Sequence, residues 1–224
     1  MVAALDVLRR VPLLASLGDE ELAAFAPFLR ERRYPRGSMI LAQGDPGESL
    51  YLIAAGQVKV VLIHEDGREV ILSVLGEGAF FGEMALLDQE PRSAHVVAMT
   101  DATLLQLRRE DFQARLRSGP EVAIGLLREL SRRLRRADET IASLMLLDVN
   151  GRIANLFLEL AAEEGGERIT RRLTHATIGQ MVGASRETVS RTMRSLVNRG
   201  ILRVSRREIL LLDREALRLA AQRA

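Results

Sequence analysis

Hydrophobic residues recur at alternating steps of three and four positions along the stretch from Gly119 to Asp148. Charged residues fill most positions between them, so one side of this stretch is apolar and the others are charged. This spacing predicts one long helix with a heptad seam, which is typical of a helix that pairs with a second copy of itself. The alternative is an amphipathic helix that packs on its own domain. The seam positions, which form the candidate dimer interface, are Leu127, Leu130, Leu134, Ala137, Ile141 and Leu144.

Short apolar runs separated by turn residues replace this helical spacing over residues 34–107. Two of the runs flank Asp66-Gly67, a dipeptide that favours the tight turn of a β-hairpin. At least six short strands at this spacing predict a small antiparallel barrel or jelly roll. The residues before the strands predict two helices, one over residues 5–14 and a second one that Asp19 caps.

Polar and glycine-containing breaks divide the rest of the chain into shorter elements. Asn150-Gly151 predicts a break directly after the long helix. Beyond this break, the pattern predicts a helix, two short helices, a hairpin and a last helix. Their expected bounds are Ile153–Ala162, Thr174–Val182, Arg186–Arg199, Ile201–Val204 with Ile209–Leu212, and a start at Arg214.

The two short helices have the spacing of a helix-turn-helix. Thr174 and Ser185 stand where each helix would begin, and Gly183 permits the tight turn between them. Arginine donates two hydrogen bonds to guanine and glutamate accepts one from the cytosine amine, so a face with both residues is typical of major-groove reading. The candidate base-reading residues are Arg186, Glu187, Ser190 and Arg191, and the candidate phosphate contacts are Ser185, Thr188 and Thr174.

Charge is spread unevenly along the chain, although the net charge is only +2. Residues 170–224 contain 12 arginines and 4 acidic residues, whereas residues 1–150 contain 18 basic and 22 acidic residues. A basic C-terminal segment on an acidic body indicates a polyanionic partner for that segment. Double-stranded DNA is the partner that fits both the charge and the helix-turn-helix.

Composition excludes several classes of protein. The 224 residues include no cysteine, so a disulfide scaffold, a thiolate zinc site and a cysteine-ligated iron–sulfur cluster are excluded. The sequence has neither the layout of a signal peptide nor an apolar run long enough for a membrane helix, so a cytoplasmic protein is expected. The sequence also shows no nucleophile–base pair and no cluster of metal ligands, so neither an enzyme nor a metal site is expected.

One stretch among the predicted strands, residues 81–94, has the residues of an anion site. Gly82 precedes a one-turn helix that begins at Glu83, and free amide groups at a helix start attract anions. Arg92 would neutralise a cyclic phosphate, Glu83 would accept a hydrogen bond from a ribose hydroxyl, and Ser93 would donate to the phosphate or the base. The alternative is that Glu83 and Arg92 pair with each other.

These segments resemble the CRP/FNR family of transcription regulators. Gly82-Glu83-Met84-Ala85-Leu86 with Arg92-Ser93-Ala94 resembles the family's phosphate-binding cassette, and residues 185–191 resemble its recognition helix. The resemblance implies an α+β chain with a cyclic-nucleotide-binding β-roll (jelly roll) and flanking helices over residues 1–118. A long dimerisation helix over residues 119–149 and a winged helix-turn-helix over residues 150–224 would follow. The implied base pocket is lined by Val60, Leu72 and Leu75.

The resemblance also implies a function and its partners. The expected function is that of a homodimeric DNA-binding regulator under the control of a cyclic nucleotide. Cyclic AMP is the first candidate for this effector, and no permanently bound cofactor is expected. The expected partners are RNA polymerase and palindromic DNA with TGTGA-like half-sites. Residues 148–154 resemble the hinge of the family.

Two residues of the long helix depart from the family's pattern. Ala137 and Asp138 align with a Thr-Ser pair whose hydroxyls bind adenine in cyclic AMP receptors of the enteric type. Ala137 has no polar group to donate, whereas Asp138 can accept from an exocyclic amine or a guanine edge, or can stay solvated or ion-paired. An effector such as cyclic GMP or cyclic di-GMP, and a regulator that needs no ligand, therefore remain open alternatives.

Overall fold

The computed structural model describes residues 7–14, 17–205 and 208–222. The chain divides into two compact units, Met1–Leu134 and Arg135–Ala224. The helix predicted over residues 5–14 lies partly outside the described residues. Within them, residues 7–10 are helical and are called α1, and Pro12–Leu14 forms a 3-10 turn.

The first unit is built from short strands with helices before and after them. Its strands form two antiparallel four-stranded sheets, in the orders β1-β8-β3-β6 and β2-β7-β4-β5, which confirms the predicted β-roll. After α1 its elements are α2 (Asp19–Ala23), a 3-10 turn (Ala26–Phe28), β1 (Arg30–Tyr34), β2 (Met39–Leu41), β3 (Ser49–Ala55), β4 (Val58–Ile63), β5 (Glu69–Leu75), β6 (Phe80–Phe81), α3 (Met84–Leu87), β7 (His95–Ala98), β8 (Ala102–Arg108) and α4 (Arg109–Ser118).

This unit has two hydrophobic cores, because the side chains of its strands alternate between two faces. One core lies between the sheets and joins Ile53 and Leu104 of the first sheet to Val58 and Val96 of the second. Neighbouring residues on β3 and β8 point to the opposite face, because successive side chains of a strand alternate. That face packs against the helices in a second core, which contains Phe112 of α4.

The strand β1 was not predicted, because its side chains carry no hydrophobic pattern. Four of its five residues, Arg30–Arg33, are charged, and all four are exposed. Backbone pairing with β8, in a register that sets Arg32 opposite Leu104, defines the strand instead. A charged edge strand of this kind also discourages unwanted pairing with other chains.

The predicted cap of α2 is wrong by one residue. Gly18, rather than Asp19, is the N-cap, and its N–H donates to Oε2 of Glu21 at 2.9 Å. Asp19 instead lies in the first turn, where an acidic side chain favours the positive end of the helix dipole.

The long helix, α5, runs from Pro120 to Leu146. The break predicted at Asn150-Gly151 is wrong, because these residues lie in the first turn of the next helix, α6 (Val149–Glu163). Asp148 is the N-cap of α6, and its carboxylate accepts from the Gly151 N–H at 2.7 Å. Aspartate is among the strongest N-caps, so the break falls at Leu147-Asp148 instead.

The second unit packs helices on a small sheet. Its core includes Phe157, Ile178, Val189 and Leu217, all of which are at most 1% exposed. The strands form one three-stranded sheet, in the order β10-β11-β9. After α6 the elements are β9 (Arg168–Ile169), α7 (His175–Val182), α8 (Arg186–Asn198), β10 (Leu202–Val204), β11 (Ile209–Leu211) and α9 (Arg214–Ala220). This order is the predicted winged helix-turn-helix. In the part of the chain that the structure describes, no helix is both long enough and apolar enough to cross a bilayer.

Candidate nucleotide pocket and DNA-reading helix

Arg92 is the centre of the candidate anion site. The residue is only 6% exposed, and backbone carbonyls fix its guanidinium in place. Nη1 donates to the Gly82 oxygen at 2.6 Å, and Nη2 donates to the Ser49 oxygen at 2.7 Å. Nε is buried and has no hydrogen-bond partner among the described residues. The site thus holds a buried cation with a donor still to be satisfied.

The electrostatics of this site favour an anion. Burial lowers the pKa of Arg92 from its usual value, because a charged group is less stable away from water. The neighbouring Arg109 acts in the same direction, whereas Tyr51 and Glu83 oppose the shift. A buried charge costs free energy unless a partner compensates it, so a negatively charged ligand beside Arg92 would relieve that cost.

Gly82 is required by the geometry around Arg92. Its backbone has φ +85°, a conformation that residues other than glycine rarely adopt. A Cβ at this position would lie 2.8 Å from Nη1 of Arg92 and 3.1 Å from the Ser49 oxygen. Any larger residue would therefore push the guanidinium away from the carbonyls that hold it.

Glu83 is buried beside this cation but does not pair with it. The residue is 3% exposed, and its Oε1 accepts from Nη1 of Arg133 at 2.9 Å. Arg133 lies on α5, donates through Nη2 to the Phe80 oxygen at 2.6 Å, and stacks 4.5 Å above the Phe80 ring centre. The predicted alternative, an ion pair between Glu83 and Arg92, is not what the structure contains. Sequence reasoning missed Arg133, which is one of several arginines on the charged side of the helix.

The other predicted cassette residues lie next to these groups. Glu83 is the N-cap of the one-turn helix α3, although its side chain forms no capping hydrogen bond. Met84 is 49% exposed, and the Ser93 hydroxyl donates to its sulfur at 3.7 Å. Gly82, Glu83, Met84, Arg92 and Ser93 are therefore brought together in the first unit.

The residues expected around the base are not brought together as the cassette residues are. Val60 and Leu75 are partly buried against the core between the sheets. Leu72 is 54% exposed. Among the described strands it has no cross-strand partner, because the register shifts where Val60 pairs with Ser73 and Val61 with Ile71. Ala137 and Asp138 are exposed on the part of α5 that belongs to the second unit.

The helix-turn-helix has the predicted caps and turn. Thr174 caps α7 by accepting from the Thr177 N–H at 3.0 Å, and Ser185 caps α8 by accepting from the Thr188 N–H at 3.2 Å. Gly183 ends α7 in the left-handed conformation, with φ 65° and ψ 47°.

Sequence reasoning missed a second glycine of this turn. A Cβ on Gly179 would lie 2.5 Å from the Ala184 oxygen, so only glycine permits α7 to approach the turn this closely.

The exposed face of α8 carries the predicted base-reading residues. Arg186, Glu187 and Arg191 are exposed, and Ser190 is partly buried. The pKa of Glu187 is lowered by the backbone N–H at the helix start and by the Ser185 hydroxyl, so the carboxylate is ionised and can accept hydrogen bonds. Arg194 is also exposed on this helix and was not predicted.

The seam of α5 presents an apolar stripe on the described chain. Leu130 is the exception, because it packs partly on the core of the first unit. An exposed apolar stripe of this length is typical of an interaction surface. The exposed fractions are 63% for Leu127, 64% for Leu134, 55% for Ile141 and 49% for Leu144, and Ala137 is also exposed.

Known proteins share both parts of this arrangement. A profile of the cyclic nucleotide-binding domain matches residues 31–118, and a profile of the Crp-like helix-turn-helix domain matches residues 151–220. The cyclic AMP receptor protein of Thermus thermophilus is 40% identical over 214 residues, which cover 93% of this chain and 98% of that protein. A CRP-like cAMP-activated global transcriptional regulator of Mycobacterium tuberculosis is 36% identical over 217 residues, which cover 95% of this chain and 97% of that protein.

A solved structure with another effector is also similar. The c-di-GMP-responsive global regulator of Xanthomonas campestris matches with a TM-score of 0.77 and 25% identity, over 88% of this chain and 100% of that one. With its cyclic nucleotide-binding domain, its Crp-like helix-turn-helix and these relatives, the chain belongs to the CRP/FNR family of transcription regulators.

Proposed function

We propose that the chain is a homodimeric, sequence-specific DNA-binding regulator whose affinity for DNA rises when cyclic AMP binds in the β-roll. The observation that carries the effector part is the buried guanidinium of Arg92 with its unsatisfied Nε. A cyclic phosphate supplies one negative charge and two free oxygens, which suit a fixed planar donor. Ser93 and Met84 would lie beside the same phosphate.

Glu83 supplies the contact to the ribose. Its Oε1 accepts from Arg133, which leaves Oε2 to accept from the ribose 2′-hydroxyl. Because Arg133 lies on α5, this pair links the nucleotide directly to the long helix. Val60, Leu72 and Leu75 provide apolar contacts to the base, and Ala137 and Asp138 provide the position from which the long helix would contact it.

A second effector is a genuine candidate because of Asp138. A carboxylate accepts from the amine and the ring N–H of guanine, which a threonine or serine hydroxyl does less strongly. The Xanthomonas campestris relative is described as c-di-GMP responsive, so this fold serves more than one nucleotide. Cyclic GMP and cyclic di-GMP are therefore the alternatives to cyclic AMP.

The DNA part of the proposal rests on α8. Its exposed Arg186, Glu187 and Arg191 offer donors to guanine and an acceptor to cytosine, which suits TGTGA-like half-sites. Ser190 is a further candidate contact to the bases on this helix, and Thr174, Ser185 and Thr188 would donate to DNA phosphates. RNA polymerase is the further partner of such a regulator at promoters.

The apolar stripe of α5 supports dimerisation. A palindromic site needs two recognition helices about 34 Å apart, which one chain cannot supply. Pairing of two α5 helices buries the stripe from Leu127 to Leu144, and each buried leucine contributes about 2 kcal/mol relative to an exposed one.

Isothermal titration of the protein with cyclic AMP, cyclic GMP and cyclic di-GMP tests the effector assignment. We expect cyclic AMP to bind with the lowest Kd and with one site per protomer. Preferred binding of cyclic di-GMP or cyclic GMP would instead support the second candidate, and an absence of heat for all three would refute nucleotide control. Gel-shift titration with a TGTGA palindrome and a scrambled duplex tests the DNA part separately.

A further inference from the structure

Ser49, the first residue of β3, lies where the sheet stops short of the cassette. The neighbouring strand β6 ends where Phe81 lies opposite Tyr51. The chain then turns away at Gly82, whose φ is +85°. The Ser49 carbonyl therefore faces the cassette rather than a further residue of β6, and it accepts from Nη2 of Arg92 at 2.7 Å. The orientation of Arg92 thus depends on how firmly Ser49 is held.

The side chain of Ser49 is bonded to the strand on its other side, β8. Its hydroxyl accepts from Nε2 of Gln106 at 2.8 Å, and Ser49 is only 6% exposed. In the register of β3 and β8, Gln106 lies opposite Tyr51, so its long side chain reaches diagonally to Ser49. This hydrogen bond attaches the residue that holds Arg92 to β8.

The orientation of the Gln106 amide is set from its opposite end. Its Oε1 accepts from Nε of Arg32, on β1, at 3.2 Å. A guanidinium can donate but cannot accept, so Oε1 faces Arg32 and Nε2 faces Ser49. Hydrogen bonds therefore connect β1, β8 and β3 in sequence, and the last of these strands holds the guanidinium of Arg92.

Tyr51 links these residues to the core between the sheets. Its ring stacks on Phe81, with 5.4 Å between the ring centres. Burial raises the pKa of Tyr51 to about 12 and Tyr34 acts in the same direction, whereas Arg92 and Arg32 oppose the shift. Both arginines therefore act on the same phenol. Because Tyr51 is part of a close-packed core, the polar residues around it have little freedom to move.

We propose that Gln106 is a positioning residue for the nucleotide site, which fixes the guanidinium of Arg92 through Ser49. The carbonyl that Arg92 bonds lies at the end of a strand, beyond the last residue of β6. The Gln106 amide restrains this residue from the β8 side. A donor that is already fixed loses less conformational freedom when an anion binds, so Gln106 raises the affinity for the phosphate. This effect on affinity rests on the proposed function, whereas the orientation of Arg92 does not.

Nuclear magnetic resonance of the arginine side chains tests the positioning in the protein without ligand. The Nε–H signal of Arg92 is identified by its loss in Arg92→Lys. We expect Gln106→Leu to shift this signal and to speed the exchange of its proton with water. Ser49→Ala should reproduce both changes, and Ser49→Thr, which keeps the hydroxyl, should not. Gln57→Leu, a partly buried glutamine just beyond the other end of β3, is the matched control. An unchanged Arg92 signal in Gln106→Leu or in Ser49→Ala would overturn the proposal, as would an equal change in Gln57→Leu.

Titration of the same variants with cyclic AMP tests the consequence for binding. We expect Gln106→Leu to raise the Kd by about three- to tenfold, which corresponds to the loss of one hydrogen bond. In an Arg92→Ala background the same substitution should have no further effect, because the residue through which it acts is gone. An equal loss in both backgrounds would show that Gln106 does not act through Arg92, and the proposal would be wrong. If the unsubstituted chain binds no cyclic nucleotide, the proposed function fails, and the Arg92 signal still decides the positioning.

Discussion

Arg92 and Glu83 are buried charged residues. Burial of a charge costs free energy of folding unless the charge has a partner. Glu83 recovers part of that cost through Arg133, whereas Nε of Arg92 has no described partner. Proteins rarely retain a buried, incompletely satisfied cation without a functional reason. At the scale of single residues, we therefore expect Arg92 to be the position at which nucleotide binding is most sensitive to substitution.

Arg92→Ala should weaken cyclic AMP binding by about 3 kcal/mol, which is roughly a hundredfold in Kd. This loss is expected because the substitution removes the cation that is proposed to face the phosphate. Isothermal titration gives the Kd directly, and the exposed Arg36→Ala serves as control. DNA binding without effector should persist in both variants. Equal cyclic AMP affinity in Arg92→Ala and the unsubstituted chain would contradict the phosphate assignment.

Glu187→Ala should relax specificity at a single base pair. An ionised glutamate accepts from one cytosine amine, so its removal should cost about 1–3 kcal/mol at that C·G pair and little elsewhere. Titration against half-sites substituted one position at a time measures the pattern. Glu215→Ala, an exposed acid on α9, controls for the change of charge. A uniform loss on every sequence would show that Glu187 acts through folding or phosphate repulsion instead.

At the scale of elements, an ionic cluster holds the loop between α6 and α7. Glu164 accepts from the Thr170 N–H at 2.6 Å and from Nε of Arg171 at 2.8 Å, and Arg171 also reaches Glu163 at 2.9 Å. Burial alone would raise the pKa of Glu164, but the hydrogen bonds from Thr170 and Arg171 outweigh it and lower the pKa. The folded second unit therefore prefers the ionised form of Glu164.

This shift predicts acid sensitivity. A carboxylate with a lowered folded-state pKa stabilises the fold above the ordinary glutamate pKa of about 4.3, and that contribution is lost as pH falls through the lowered value. In Glu164→Gln, the unfolding temperature should fall less steeply below about pH 5 than in the unsubstituted chain. The contribution of Glu164 to the free energy of unfolding is expected to be about 1 kcal/mol or less. Thermal unfolding across a pH series measures this, with exposed Glu167→Gln as control. Parallel profiles for Glu164→Gln and the unsubstituted chain would refute the assignment.

The long helix gives a second prediction at this scale. Leu134 is 64% exposed on the described chain, so Leu134→Glu should leave the fold intact while placing a charge in the dimer seam. We expect sedimentation to show the mass of a dimer for the unsubstituted chain and a shift toward monomer for this variant. Arg128→Glu on the charged side should remain dimeric. If all three proteins sediment as monomers, the seam serves another purpose.

The sequence predicted correctly those features that depend on residues close together in the chain, and missed those that depend on distant residues. The caps at Thr174 and Ser185 need only neighbouring residues, so they were predicted correctly. The break between α5 and α6 was predicted at the wrong residues, because Asn-Gly is a common break. Asp148 caps α6 instead, and Asn150 and Gly151 are helical. Arg133 was missed because the residue it bonds, Glu83, lies 50 positions earlier in the chain.

At the scale of the whole molecule, the chain joins a nucleotide-binding unit to a DNA-binding unit through one continuous helix. Arg133 bonds the middle of that helix to Glu83 of the cassette, and Arg152 bonds Leu147, just after the end of that helix, to Val182 of the helix-turn-helix. An effector controls DNA binding only if it prefers the arrangement that binds DNA. By linkage, DNA should in turn raise the affinity for such an effector.

The most direct test is the affinity of the protein for a labelled palindrome with TGTGA-like half-sites, measured at one salt concentration with and without saturating cyclic AMP. Effector-controlled binding predicts that cyclic AMP lowers the Kd by at least about tenfold, which corresponds to about 1.4 kcal/mol of coupling. A scrambled duplex should show little change. Equal Kd values for the palindrome in the two conditions would contradict control by cyclic AMP, whatever the DNA-binding unit does by itself.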